Sequence, residues 1–258
     1  MQLQAVAREA GLFDFDRSTE SDQIEVAYGD IAGLSARQAD TLLRALEPHE
    51  RARAARFAGE TPRRLYVLAH AMLRVELARV FGCRPQLVGL ASRAHGKPYV
   101  VAPTPAPEIS MTHGGTMAAC AITWAGDVGI DVEPTGCGAL DLEFARQQFS
   151  ADEVARLAGL NDDRLMETLV AIWTAKEAIL KALGAGLSMP LDRFSVPARD
   201  GCVAGPEEIG VWRVRRLAPD PVHRLAVALS GDPSRPVSMH ERAWSAEALV
   251  AVIGSAFR

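Results

Sequence analysis

Ala55-Arg-Phe-Ala-Gly59 recurs 100 positions later as Ala155-Arg-Leu-Ala-Gly159. Each copy stands just before a long stretch with helical apolar spacing, and each stretch stops at a glycine, Gly82 or Gly184. In a chain of 258 residues a repeated element order points to an internal duplication into two similar halves, the alternative being a chance match in a chain rich in Ala and Arg. The junction between such halves is a natural place for a ligand cleft. The expected fold is α+β, a pseudodimer of two similar α+β halves with the active site in the cleft between them. The halves are drawn at residues 23–127 and 128–258, with 1–22 as an N-terminal extension ending in a polar run.

Local signals fill in this frame. A strand is expected around Ile24–Tyr28. Ser35-Ala-Arg-Gln38 is a capping box that opens a helix. A basic helical stretch covers Glu50–Phe57. Thr61-Pro62 is read as the N-cap and first turn of the long helix that Gly82 ends. Leu90–Pro107 reads as a loop rich in Pro and Gly. Strands are expected over Ile109–Thr112 and Ala118–Trp124, with Ala125-Gly-Asp127 as a hairpin turn into Val128–Glu133. A second capping box, Ser150–Glu153, precedes a helix over 163–183. Arg213–Leu217 and Arg224–Leu229 form a strand pair, and 246–257 a terminal helix.

Composition excludes several functions. A net charge of −4 argues against a nucleic-acid binder held by bulk charge, while leaving room for a local basic cleft. No apolar run approaches the ~18 residues of a membrane span, and the N-terminus lacks a secretory pattern. The 4 cysteines are widely spaced with no CxxC, which suits a reducing cytoplasm. Of 28 cationic residues only Lys97, Lys176 and Lys181 are lysine. In a chain that otherwise uses arginine, these are positions that favour a compact ammonium.

The chemistry concentrates on few residues. On a strand, Asp131 and Glu133 point to one face. Adjacent carboxylates are comfortable when solvated or when a cation sits between them, and Mg²⁺ takes such oxygens together with phosphate and water. In the helix over 163–183, Leu165, Leu169, Ile172, Ile179 and Leu183 form the core stripe. Trp173, Glu177 and Lys181 run along its flank at i, i+4, i+8. The flank can look into a cleft, or Glu177 and Lys181 can be a surface pair. Lys176 falls inside the apolar stripe and needs a carboxylate, for which one of the strand pair is a candidate. Lys97, between Gly96 and Pro98, is a point charge on a stiff turn, suited to a phosphate or simply a loop residue. His113, followed by two glycines, stands beside open backbone amides. The P-loop, Rossmann, zincin and nucleophile-elbow patterns are all missing.

Gly129-Ile-Asp-Val-Glu133 followed by Trp173-Thr-Ala-Lys-Glu-Ala-Ile-Leu-Lys181 resembles the paired signature of the 4′-phosphopantetheinyl transferases, in their Sfp type. Gly96-Lys97-Pro98, Thr112-His113 and the segment 186–196 also stand where that type has them. The resemblance spans about residues 24–230. It implies transfer of phosphopantetheine from coenzyme A to a serine of an acyl or peptidyl carrier protein, releasing adenosine 3′,5′-bisphosphate. It implies Asp131, Glu133 and Glu177 as Mg²⁺ ligands, with Mn²⁺ as the alternative ion. Glu177 is also the general base, and Lys181 contacts the pyrophosphate. Lys97 and His113 hold coenzyme A phosphates, while Gly96, Pro98 and Thr112 shape the pocket and Arg53 takes a nucleotide-side position. Asp131 and Lys181 face coenzyme A as well. A cytoplasmic monomer with neither nucleic acid nor membrane as partner is expected.

There are departures from that pattern. Thr112 replaces a commoner serine. Glu50 stands where relatives have a lysine, so that Arg51 or Arg64 takes over or the contact weakens. Apolar residues near 115–125 or 135–150 are candidates for carrier contact. The competing classes are a Mg²⁺-dependent phosphohydrolase or nuclease using the same carboxylates, and a non-catalytic coenzyme A or carrier binder.

Overall fold

The computed structural model describes residues 22–256 apart from 137, 139, 187 and 188. The extension read over 1–22 therefore lies outside the described residues except for Asp22, as do Leu187 and Ser188 of the 186–196 motif. The chain begins with strand β1 (Asp22–Asp30) and helices α1 (Ala36–Leu42), α2 (Pro48–Ala54) and α3 (Glu60–Phe81). Strands β2 (Gly89–Ser92), β3 (Pro98–Ala102), β4 (Glu108–Gly114), β5 (Met117–Thr123) and β6 (Val128–Pro134) follow. Helices α4 (Leu142–Gln148), α5 (Ala151–Leu157) and α6 (Asp162–Leu183) lead to β7 (Gly201–Ala204), β8 (Val211–Leu217), β9 (His223–Ser230), β10 (Val237–Trp244) and α7 (Ala246–Ser255).

Two four-stranded sheets carry the architecture, in the orders β10-β1-β5-β4 and β6-β9-β8-β7. Period-two alternation aims Ile24 and Val26 of β1 at Val128, Ile130 and Val132 of β6, so the sheets share an apolar layer. The outer face of the first sheet packs on α3 and α7, through residues such as Leu73, Leu77, Leu249 and Ile253. The second sheet packs on α6 through Leu169, Ile172 and Ile179. Both α3 and α6 are 22 residues long, and both end at a glycine in the left-handed region, Gly82 at φ 62° and Gly184 at φ 67°.

Several expectations change. Residues 125–127 do not turn a hairpin: β5 stays in the first sheet while β6 pairs antiparallel with β9 in the second. The chain crosses between layers there because both strands are buried on both faces. Thr61 and Pro62 sit inside the first turn of α3, whose N-cap is Gly59. Pro62 is tolerated there because the first turn has no intrahelical acceptor for an N–H. The stretch 90–107 is not only loop, since β2 and β3 pair antiparallel around Gly96 and Lys97. Residues 117–123, offered for carrier contact, are wholly buried and unavailable for it. Strand β10 and helix α7 come last in sequence, yet join the first sheet and its core. Among the described residues, no helix is long and apolar enough to cross a membrane.

Candidate active site

Two glycines draw three elements together. A Cβ on Gly129 of β6 would lie 1.8 Å from the Ala178 carbonyl oxygen, so only glycine lets α6 approach this strand so closely. A Cβ on Gly114 of β4 would lie 2.1 Å from the Val132 carbonyl oxygen. Helix α6 therefore delivers Glu177 and Lys181, β6 delivers Asp131 and Glu133, and β4 delivers Thr112 and His113 to one place. The Ile130 N–H donates to Ser110 Oγ at 3.2 Å and fixes β6 against β4.

At the centre, the Lys181 ammonium donates to Asp131 Oδ1 at 2.5 Å and to Thr112 Oγ1 at 2.8 Å. Thr112 in turn donates to Asp131 Oδ1 at 3.0 Å. The retained hydroxyl at 112 thus ties strand to helix. Asp131 is 3 % exposed, and its other oxygen, Oδ2, is buried without a hydrogen-bond partner. Glu177 Oε1 is in the same condition. Burial, and next the charge of Asp131, push Glu177 up to about 7, against the pull of Lys181. Glu133 is also pushed up to about 7, by burial first and Asp131 second; Lys181 opposes this and Glu177 adds to it. One ammonium thus faces three carboxylates. The surplus negative charge and the orphaned oxygens fit a hard divalent cation with oxygen ligands. The three carboxylates are not gathered within 4.8 Å of one another, and Lys181 supplies the positive charge on Asp131.

The flank stripe on α6 is as expected. Leu169, Ile172 and Ile179 are buried, while Trp173, Glu177 and Lys181 are half-buried. Trp173 packs edge-on against Phe144, ring centroids 5.3 Å apart. Lys176 does meet a carboxylate, but not one of the strand pair. Its ammonium lies 2.8 Å from Glu153 of α5 and donates to the carbonyls of Leu191 and Phe194. One step along a helix rotates the side chain by about 100°, so 176 faces α5 while 177 faces the cleft.

His113 reaches the surface; partial burial, then the Lys181 charge, hold its pKa below the usual imidazole value. Lys97 is turned inward and 7 % exposed. It donates to the Ala182 carbonyl at 2.6 Å and lies 3.5 Å from Asp127 and 3.6 Å from Glu108. Gly96 and Pro98 form the turn that presents it. Arg53 stands 5.6 Å over the Tyr66 ring and lines a cavity of about 620 Å³ with His49, Ala52, Arg56 and Phe57.

Glu50 does not face that cavity. It is buried 2.8 Å from Arg74. Of the two arginines offered in place of the missing lysine, Arg51 donates to the Leu46 carbonyl and Arg64 pairs with Glu60. Arg56 and His49 also line this cavity and were not singled out in the sequence. His49 and Arg53 are one helical turn apart on α2, and Arg56 follows in the turn after it.

A family model of the 4′-phosphopantetheinyl transferase superfamily matches residues 127–213, the span that carries all four central charges. A 4′-phosphopantetheinyl transferase of Bacillus subtilis is 29 % identical over 167 residues, 65 % of this chain and 73 % of the relative. The 4′-phosphopantetheinyl transferase Sfp of Bacillus subtilis strain 168 is 26 % identical over 197 residues, covering 75 % and 86 %. The 4′-phosphopantetheinyl transferase HetI of Nostoc sp. strain PCC 7120 is 29 % identical over 209 residues, covering 79 % and 86 %. Similarity to these enzymes runs through both signature segments and most of the chain, which resembles the Sfp-type 4′-phosphopantetheinyl transferases.

Proposed function

We propose that this enzyme moves 4′-phosphopantetheine from coenzyme A to a serine hydroxyl of an acyl or peptidyl carrier protein. The observation that carries this reading is one ammonium and three carboxylates converging from β6 and α6, with carboxylate oxygens left unpartnered. The serine Oγ forms a bond to the β-phosphorus of the coenzyme A pyrophosphate. The bond from that phosphorus to the bridging oxygen breaks, and adenosine 3′,5′-bisphosphate leaves.

Glu177 takes the hydroxyl proton. A carboxylate held near 7 is a stronger base than an ordinary one and still half ionised at neutral pH. Lys181, 32 % exposed, turns its outer side to the pyrophosphate and opposes the charge that gathers as the bridge breaks. Asp131, Glu133 and Glu177 would hold Mg²⁺ or Mn²⁺, which supplies charge neutralisation across the pyrophosphate when bound. His113 and Thr112 orient the phosphates, and Asp131 fixes Lys181 beside them. Arg53 and its cavity take the anionic nucleotide end. Gly96 and Pro98 shape the wall, and Lys97 adds positive charge from behind it.

In the same reading the molecule is a pseudodimer with its cleft at the β4–β6–α6 junction, which the matched helices α3 and α6 support. It works as a monomer, because the halves supply each other's interface, and in the cytoplasm, which the widely spaced cysteines suit. Half-buried Leu142 and Phe144 offer apolar carrier contact.

The test is intact-mass spectrometry of an apo carrier protein incubated with enzyme, coenzyme A and Mg²⁺, with an EDTA control. A metal-dependent gain of one phosphopantetheine supports the reading. Phosphate release without carrier modification would instead identify a hydrolase. No gain across several carrier types, with coenzyme A bound, would identify a binder.

A further inference from the structure

A second group of metal-type ligands lies outside the carboxylate cluster. Asp30 ends β1, Asp220 lies between β8 and β9, and His223 opens β9. One ligating atom from each falls within 4.8 Å of the other two, the only such set among the described residues. His223 is registered against Pro134, the residue after Glu133. The group thus sits at the same end of the sheets as the active site but shares no residue with it.

The imidazole is held as metal-binding imidazoles are. Its Nδ1 is 2.8 Å from Asp220 Oδ2, and Asp220 Oδ1 accepts the N–H groups of Val222 and His223, each at 2.7 Å. A carboxylate on Nδ1 fixes the tautomer and leaves the lone pair on Nε2. His223 is 4 % exposed, yet Nε2 has no hydrogen-bond partner. Gly115, at φ 57°, faces that nitrogen, and a Cβ there would lie 2.8 Å from it. Only a residue without a side chain lets the 115 backbone come this close to the ring nitrogen. Asp30 is oriented by the Thr116 hydroxyl and the Ala32 N–H, each donating to a different oxygen.

We propose that Asp30, Asp220 and His223 form a clip for one first-row divalent cation of the zinc type, which ties the first sheet to the second across the turn at Gly115. An imidazole nitrogen with carboxylate oxygens suits Zn²⁺, whereas Mg²⁺ takes oxygen donors alone. The ring and the Asp30 carboxylate supply the donors. Asp220 orients the ring and adds charge, and water completes a tetrahedral shell. The clip is separate from the proposed transfer chemistry and stands or falls without it.

The test titrates Zn²⁺ into EDTA-treated, dialysed enzyme in millimolar Mg²⁺, which competes for the oxygen-only cluster. Calorimetry should find one Zn²⁺ per chain. Affinity should fall at least tenfold in His223→Gln and in Asp30→Asn, and roughly 10–100-fold in Asp220→Asn. His113→Gln, beside the other cluster, should keep it. Asp30 is half-buried at a strand end, so Asp30→Asn tests the clip even where His223→Gln folds poorly. At a hundredfold excess over Kd, Zn²⁺ should raise Tm by roughly 5–10 °C in the parent chain and not in the two ligand variants. No Zn²⁺ bound in the presence of Mg²⁺, or equal affinity in the parent and both ligand variants, would overturn the clip. So would the same Tm rise in all three proteins.

Discussion

Each residue near the centre has more than one neighbour to answer to, and that sets what its replacement should do. Glu177→Gln keeps the shape and removes the base, so transfer should fall by about 10²–10⁴-fold with circular dichroism unchanged. Near-normal turnover would remove Glu177 from the chemistry. Because Glu177 is held near 7, its basic form gains with pH. The rate should climb through neutral pH, and the limb should move to lower pH as Mg²⁺ is raised, since a cation favours the ionised carboxylate. A limb fixed at all Mg²⁺ concentrations would contradict this. Lys97→Ala should raise the KM for coenzyme A and also lower Tm, because its ammonium buckles α6 to the β2–β3 turn through the Ala182 carbonyl. A defect confined to the carrier KM would contradict both roles.

At the scale of elements, the strand and helix that carry the site depend on close packing. Gly129→Ala should push α6 off β6, since its Cβ would meet the Ala178 carbonyl and the Ala182 amide, and the protein should lose more than about 2 kcal/mol in denaturant unfolding. The Glu153–Lys176 pair clamps α6 to α5 and to the loop at 191–194. Lys176→Met alone leaves the buried Glu153 carboxylate with only Arg156, 3.8 Å away, as counter-charge and should cost about 3 kcal/mol; adding Glu153→Gln should recover part of that loss. Equal losses in the single and double variants would deny the coupling. These elements were legible to different degrees. Helix α6 was plain because its apolar stripe, caps and glycine stop all agree. The partner of Lys176 was not, because periodicity identifies a buried ammonium but not the element that faces it. The crossing from β5 to β6 was misread as a hairpin because Ala-Gly-Asp suits either connection, and only the pairing of β6 with β9 decides. The inward turn of Lys97 had no local signal, since its partners lie at 108, 127 and 182.

For the molecule as a whole, pH should act through buried carboxylates away from the chemistry. Glu25 is pushed up to about 7 by burial first and the charge of Glu76 second. Its folded-state pKa lies above its ordinary value of 4.5, so its favourable contribution is complete below that pH and lost as pH rises to about 7. The unfolding free energy of the parent chain should fall between pH 5 and pH 8 by more than that of Glu25→Gln, a difference on the order of 2 kcal/mol in denaturant unfolding. Parallel pH profiles would assign the slope to other groups. The two-layer plan was visible in the repeated helix-and-glycine order. The return of the final strand was not, because Val237–Trp244 is nowhere fully buried and Glu241 breaks the alternation of Val237, Met239 and Ala243. That return has a consequence for synthesis. Strand β1 leaves the ribosome before every other strand of the two sheets, and its outer edge runs parallel to β10, with Asp22 opposite Val237. The first sheet cannot close before β10 has been made, so the growing polypeptide carries an unpaired strand edge until then, which leaves it open to aggregation and to capture by chaperones.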